Sequence, residues 1–205
     1  MKKYFMVSLI LSVFFSSGLV FSLENEIIKG RFTIMLDKPD THERGKVNII
    51  IFFDFFCPHC HKFDTKVVPL LRKEFGKKVN FVYLGYPLLY DDSNIPIEVY
   101  ELAKDQGKGE EMKKLLFRAI YDERKDITDK TILLKLAKDI KLDVNTFEFG
   151  FDSHIKREKV KENIKLAKSY EVKGTPTVII DGRIKVKENS IENIRTIINS
   201  ILTEE

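Results

Sequence analysis

Residues 47–53 form an apolar, β-branched run that ends just before the motif Cys57-Pro58-His59-Cys60. A run of this kind predicts a strand that is buried on both faces of a sheet. The spacing of apolar residues after the motif predicts a helix as far as Phe75, with a kink at Pro69. A second buried strand is predicted at 79–84. Strand, helix and strand in this order favour a parallel α/β pairing.

The middle of the chain has the pattern of helices. Apolar residues recur there at intervals of three and four, and Thr128 or Asp129 is placed to cap one of these helices. Asp143 is placed to cap one more short turn that carries Phe147. The last part of the chain predicts a helix, a strand, a tight hairpin, a strand and a helix, in the ranges 153–170, 177–180, 181–182, 184–186 and 191–202.

These patterns predict an α/β protein with a mixed central sheet flanked by helices. An inserted all-helical domain over 87–152 interrupts the sheet domain, which we expect at 23–86 and 153–205. The chain has 205 residues, of which 43% are hydrophobic, so it can fill such a core without covalent cross-links.

Cysteine and charge counts exclude several classes of protein. Cys57 and Cys60 are the 2 cysteines of the chain, so there is no disulfide framework, and a bridge between them would close a very short loop. Such a loop adds little stability by chain entropy, which favours a reactive role. The net charge of +4 is small, and Lys and Arg are scattered among Asp and Glu, so we expect no nucleic-acid partner.

The position of the motif at the start of a helix determines the chemistry expected of each cysteine. Unpaired backbone N–H groups and the positive end of the helix dipole favour a thiolate at Cys57. His59, which can be cationic near neutral pH, acts in the same direction. We expect Cys57 to be the exposed sulfur that exchanges with substrates and Cys60, one turn later, to resolve the mixed disulfide. Pro58 fits the first turn because its missing N–H has no partner there.

The stretch from Phe52 to Cys60, Phe-Phe-Asp-Phe-Phe-Cys-Pro-His-Cys, resembles the active-site segment of DsbA-type thiol–disulfide oxidoreductases. The likeness covers most of the chain and includes a Gly-x-Pro segment at Gly174-Thr175-Pro176. It implies a thioredoxin fold with a helical insertion and a redox-active disulfide between Cys57 and Cys60. It also implies that the Thr175–Pro176 peptide bond is cis and that backbone groups of Gly174 and Thr175 bind an extended substrate peptide.

The activity implied by the resemblance is disulfide formation in unfolded or reduced exported proteins. Exchange runs through Cys57, and Cys60 resolves. Re-oxidation then requires a membrane redox partner of the DsbB type, which is linked to quinone. We expect no cofactor and no bound metal, because the disulfide itself carries the electrons. We expect the protein to act as a monomer.

Two features depart from the family pattern. The family holds a buried carboxylate before the first cysteine and pairs it with a lysine on the next strand, but this chain has Ile51 and, by ungapped alignment, Tyr83. Proton transfer at Cys60 must then use water or another group. Asp54 lies on the other side of the strand alternation, and it can orient the loop by accepting backbone N–H bonds. The second departure is Thr175, which is similar to the isomerase and reductase branches.

Two other functions fit the same residues. A reductase or isomerase of the same fold would reverse the electron flow and be kept reduced by a membrane partner. A metal-handling module would use Cys57, His59, Cys60 and His61 as ligands. No second Cys-x-x-Cys motif or distant histidine cluster completes a tetrahedral set in the sequence, which disfavours a structural zinc site.

The N-terminus has the pattern of an export signal. Lys2 and Lys3 precede an apolar run at 4–20. We predict a signal peptide over 1–22, cleaved after Ser22, and the alternative is that the run stays as a membrane anchor. Either arrangement places the rest of the chain outside the cytoplasm by the positive-inside rule, in the periplasm or an equivalent compartment where disulfides persist.

Overall fold

The computed structural model describes residues 28–203. In chain order its elements are β1 (Phe32–Ile34), β2 (Val47–Phe53), α1 (Pro58–Lys62), α2 (Val68–Phe75), β3 (Val79–Gly85), α3 (Asn94–Asp105), α4 (Gly109–Tyr121), α5 (Lys130–Asp139), α6 (Val144–Asp152), α7 (Arg157–Ser169), β4 (Thr177–Ile180), β5 (Ile184–Val186) and α8 (Ile191–Thr203). Among these residues no helix is long and apolar enough to cross a bilayer. The predicted signal peptide of 1–22 lies outside the described range.

The strands form one mixed sheet in the order β1-β5-β4-β2-β3. β2 runs parallel to β3 and antiparallel to β4, and β5 is antiparallel to both β4 and β1. The predicted mixed sheet and the parallel pairing of the first two buried strands are therefore confirmed. β1 has no counterpart in the sequence-based prediction, because an edge strand of 3 residues carries too little alternation to be recognised.

Helices cover both faces of the sheet, because the central strand β2 is apolar on both sides. Ile49, Ile51 and Phe53 point into the larger core, which also contains buried residues of α2, α8 and the helices after β3. Phe52 points the other way, into a smaller core where it packs on Tyr170 at the end of α7. The apolar run at 49–53 is thus the consequence of a strand buried from both sides.

The helices between β3 and β4 agree in place with the predicted helical unit, with two differences in extent. Asp129 and Asp143 cap α5 and α6 through side-chain oxygens that accept backbone N–H groups. α6 is a helix of 9 residues rather than a short turn, and the helix predicted at 153–170 begins only at Arg157. The chain turns at His154, whose φ of 50° interrupts the helical pattern. The domain bounds of 87–152 for the insert and 23–86 with 153–205 for the sheet domain stay predictions.

A tight turn and a glycine determine the backbone geometry at two strand ends. Asp181 and Gly182 have φ values of 46° and 76°, which form the predicted tight hairpin between β4 and β5. At the end of β3, a Cβ on Gly85 would lie 2.2 Å from Cγ2 of Ile97. Glycine therefore lets α3 pack directly against the strand end, beside the place where β2 delivers the cysteines.

Candidate active site

The cysteine motif lies where β2 leaves the sheet and α1 begins. Cys57 is the N-cap residue, with φ −87° and ψ 112°, and its carbonyl oxygen accepts the N–H groups of Cys60 at 3.0 Å and His61 at 3.2 Å. Pro58 occupies the first turn as predicted. Both cysteines are free thiols in the structure. α1 continues through a π-helical turn (Phe63–Val67) into α2, so the predicted bend falls just before Pro69.

The expectation that Cys57 is the exposed sulfur is wrong, because the residue is buried in the structure. Cys57 is 4% exposed and Cys60 is 3% exposed, so accessibility barely separates them. One contact at Cys57 comes from Thr175, which is remote in sequence. In the thiol form, Sγ of Cys57 donates to the carbonyl oxygen of Thr175 at 3.2 Å.

The two cysteines differ in the stability of their charged forms. The hydrogen bond from the Cys60 thiol is the largest cause of a low pKa at Cys57, about 5, and the Thr175 side chain and the backbone N–H groups of Cys60 and His59 lower it further. Burial acts against this shift but does not cancel it. Burial is also the largest cause of the raised pKa of Cys60, which the negative charge on Cys57 raises further. Near neutral pH the site therefore holds one thiolate and one thiol.

The segment at Gly174-Thr175-Pro176 meets the cysteines across the fold. The Thr175–Pro176 peptide bond is cis, which confirms what the resemblance implied. The carbonyl oxygen of Pro176 accepts a hydrogen bond from Nδ2 of Asn189 at 2.7 Å, and that of Gly174 accepts one from the Thr177 hydroxyl at 2.7 Å. These contacts fix the backbone that faces Cys57.

Asp54 holds the turn between β2 and α1, as interpreted from the sequence. Its side chain is 0% exposed, and its Oδ1 accepts the N–H of Phe56 at 2.9 Å. Its Oδ2 accepts the N–H groups of Leu88 at 2.9 Å and Leu89 at 3.0 Å, from the loop after β3. Because backbone donors occupy both oxygens, this carboxylate connects two loops at the site through hydrogen bonds.

The two residues that replace the family's charged pair lie directly opposite each other, since Ile51 pairs with Tyr83 in the β2–β3 register. The Tyr83 hydroxyl donates to Asp64 at 2.6 Å, and the Lys113 ammonium lies 2.7 Å from the same carboxylate. Lys113 also lies 3.3 Å from the centre of the Tyr83 ring. With side chains only 1% and 8% exposed, Lys113 and Asp64 form a buried ion pair beside β3.

Sequence reasoning missed this ion pair, although a signal for it exists. Lys113 precedes Leu116 and Phe117 by three and four positions, so it lies on the apolar face of α4. A lysine on such a face requires a buried partner. The partner could not be located from the sequence, because Asp64 is turned inward by the π-helical turn, which the prediction did not include.

His59 within the motif and His61 just after it lie in different surroundings. His59 is exposed and lines a groove of about 450 Å³ with Phe63, Val67 and Pro176. The His61 ring stacks on Tyr121, with ring centres 4.5 Å apart and planes at 3°. Within residues 28–203, no group of three or more His, Cys, Asp or Glu side chains is placed to hold a metal ion.

The parallel β2–β3 pair, the Cys-x-x-Cys motif at a helix N-terminus and the facing cis-proline define a thioredoxin-fold dithiol protein. The sequence model of the family described as "DSBA-like thioredoxin domain" matches residues 48–199. The chain belongs to this family.

Curated relatives and solved structures agree with that assignment. The chain is 26% identical over 188 residues to "Thiol:disulfide interchange protein DsbA" of Burkholderia cepacia, covering 90% of this chain and 87% of the relative. It is 28% identical over 191 residues to "Probable disulfide bond formation protein D" of Bacillus cereus, covering 82% and 88%. The fold is similar to that of Pseudomonas aeruginosa DsbA, with TM-score 0.67, 20% identity and coverage of 85% and 92%. It is also similar to oxidised BdbD of Bacillus subtilis, with TM-score 0.70, 19% identity and coverage of 85% and 93%.

Proposed function

We propose that the protein is an exported thiol–disulfide oxidoreductase that forms disulfides in reduced substrate proteins. The observation that carries this proposal is the opposite shift of two neighbouring thiols: the pKa of Cys57 is lowered to about 5 and that of Cys60 is raised. A stabilised thiolate stabilises the reduced form, which makes the corresponding disulfide a stronger oxidant. Names of relatives that refer to disulfide interchange and disulfide bond formation support the same conclusion.

The exchange starts from the Cys57–Cys60 disulfide. A substrate thiolate attacks Sγ of Cys57, the bond between the two cysteines breaks, and its electron pair stays on Cys60, which takes a proton. A second substrate thiolate then attacks the substrate sulfur of the mixed disulfide, and Cys57 leaves as a thiolate. The substrate is oxidised to its disulfide, and the protein is reduced to the dithiol. The low pKa of Cys57 makes it a good leaving group in the second step.

The remaining groups of the site have supporting roles in this proposal. Backbone groups of Gly174 and Thr175 bind the extended substrate chain, next to a Thr175 carbonyl oxygen that lies 3.2 Å from Sγ of Cys57. His59 and Pro58 complete the first turn of α1. A membrane redox partner of the DsbB type removes the electrons, and export under the signal at 1–22 places the reaction outside the cytoplasm.

The reduction potential of the Cys57–Cys60 couple tests the proposal. The full chain is equilibrated with glutathione buffers, and the thiol–disulfide ratio is measured. We expect a potential above the glutathione poise of about −220 to −260 mV. A value near that of thioredoxin, about −270 mV, would instead assign the protein as a reductase. The absence of any reversible couple would reject a redox function and make metal handling the working hypothesis.

A further inference from the structure

A basic pocket borders the cis-proline on the side opposite the groove of His59. It encloses about 450 Å³, and its charged lining consists of Glu171, Lys173, Lys185 and Lys187. Three lysines and one glutamate thus contribute to its lining. Thr175 and Pro176 line both this pocket and the groove on the other side. A chain that crosses Thr175 therefore has the basic pocket on one side and, on the other, a groove whose lining includes the apolar residues Phe63 and Val67 and one cation, Lys62.

The lysines of the pocket are not equivalent. The Lys185 ammonium donates to the carbonyl oxygens of Tyr170 at 2.7 Å and Glu171 at 2.8 Å, so it is committed to the turn that follows α7. Lys173 and Lys187 are exposed, and within residues 28–203 their ammonium groups form no ion pair. Two positive charges beside the substrate path are therefore available to a ligand.

We propose that this pocket takes an acidic side chain of the reduced substrate, close to the cysteine that attacks Cys57. The inference rests on the proposed function and adds a substrate class to it: polypeptides with Asp or Glu near the reacting cysteine. Thr175 connects the pocket to the chemistry, because it lines the pocket and its carbonyl oxygen lies 3.2 Å from Sγ of Cys57. Lys173 precedes Thr175 by two positions, and neighbouring residues of an extended chain are about 3.3 Å apart, so we expect a side chain one or two positions from the reacting cysteine to lie beside the pocket.

Three reduced peptides, each with two cysteines and differing only at the residues that flank one of them, provide the test: Asp, Asn or Lys on both sides. The second-order rate constant for their reaction with the oxidised full chain is measured for each. We expect the Asp peptide to react about tenfold faster than the Lys peptide at low salt, because exposed opposite charges attract and steer. The preference is expected to fall in high salt, since the screening length shrinks from about 10 Å at 0.1 M to about 3 Å at 1 M.

Protein variants separate the pocket from the intrinsic reactivity of each peptide. K173E/K187E is expected to abolish or reverse the preference, and K173Q/K187Q to reduce it. K77E/K78E changes the net charge equally at exposed positions before β3, at the opposite end of the sheet, and is expected to leave the preference unchanged. Comparing ratios across variants cancels the effect of flanking charge on the peptide thiol itself.

The outcomes also distinguish this inference from the proposed function. An equal Asp-to-Lys ratio for the wild type and K173E/K187E would overturn the pocket while leaving disulfide exchange intact. An equal change in K77E/K78E would also overturn it, because net charge alone would then explain the preference. If none of the peptides is oxidised, the proposed function fails and the substrate preference fails with it.

Discussion

The active-site turn and the Asp64–Lys113 pair both place charge beneath the surface, and they stabilise it differently. Lys113 faces an opposite charge, since its ammonium lies 2.7 Å from the Asp64 carboxylate. The thiolate of Cys57 is stabilised by dipoles: the Cys60 thiol, the Thr175 side chain and backbone N–H groups lower its pKa to about 5. One region uses a counter-charge, and the other uses neutral donors.

The difference follows from how long each charge lasts. Lys113 and Asp64 take no part in the proposed thiol–disulfide exchange, so an ion pair serves them. Cys57 is charged only in the reduced protein, and a buried cation beside it would be left without a partner whenever the disulfide forms. An uncompensated buried charge is costly, whereas an unused neutral donor costs much less. Neutral donors therefore suit a charge that appears and disappears with each turnover.

The largest effect is expected from removal of each sulfur in turn. C57S is expected to abolish disulfide exchange, because Cys57 forms the mixed disulfide. C60S is expected to stop turnover but to capture a peptide that carries an activated disulfide, since no resolving thiol remains to release it. Mass measurement of the adduct, beside the exchange rate, checks both. Equal capture by C57S would contradict the assignment of roles.

The second prediction removes the buried ion pair. K113M leaves the buried Asp64 without its cation, so the free energy of unfolding is expected to fall by about 3–5 kcal/mol, as measured by urea denaturation of the reduced protein. The reduction potential is expected to stay nearly unchanged, because the pair takes no part in the proposed thiol–disulfide exchange.

The neighbouring lysine supplies the control for this variant. Lys114 is exposed on the same helix, so K114M is expected to change the stability by less than about 0.5 kcal/mol. A fall in potential comparable to the loss of stability in K113M would contradict the separation of the two regions. It would mean that Lys113 stabilises the thiolate after all.

The contrast between the regions also explains what could be predicted from the sequence. The site of Cys57 and Cys60 follows from local pattern: a buried strand, a proline in the first turn and a helix start. A sequence that predicts the helix terminus also predicts the backbone N–H groups that lower the pKa of Cys57, but it does not predict the largest cause, the hydrogen bond from the Cys60 thiol. The cis state of Thr175–Pro176 came from resemblance and could not have come from propensity, because most such bonds are trans.

The ion pair lacks any local signature that joins its members. Asp64 and Lys113 are distant in the chain: Asp64 lies in the π-helical turn that follows α1, and Lys113 lies on α4, which packs against α1. Equally, the hydrogen bond between Thr175 and Cys57 is a tertiary contact, and the low exposure of Cys57 was not predicted. Features that depend on packing between remote elements are those that sequence patterns could not supply.

The third prediction concerns which groups lower the pKa of Cys57. Because the Cys60 thiol is the largest cause of the low pKa, C60A is expected to raise the pKa of Cys57 by at least about one unit, or tenfold in acidity. H59A is expected to have a smaller effect, since His59 lowers the pKa through a backbone N–H that alanine keeps. The pH dependence of iodoacetamide alkylation measures both. A larger shift in H59A would show that the imidazole itself stabilises the thiolate.

The fourth prediction concerns how the reduction potential depends on pH. The folded pKa of Cys57, about 5, lies below its ordinary value of 9.0, so the thiolate stabilises the reduced fold fully above pH 9.0 and loses that effect as the pH falls to 5. Between these limits reduction takes up one proton instead of two, because Cys60 stays protonated. The potential is then expected to fall by about 30 mV per pH unit, and by about 59 mV per unit below pH 5.

Equilibration with glutathione at several pH values measures this slope directly. Glutathione takes up two protons on reduction below its own pKa, so its potential falls faster with pH than that of the protein. At a fixed glutathione ratio, the equilibrium is expected to shift about tenfold towards the reduced protein for each unit by which the pH rises between 6 and 8. The chain unfolded in urea, whose thiols have ordinary pKa values, should show no such shift. An equilibrium independent of pH in the folded protein would mean that Cys57 is an ordinary thiol, and the dipoles around it would then have no part in the redox chemistry.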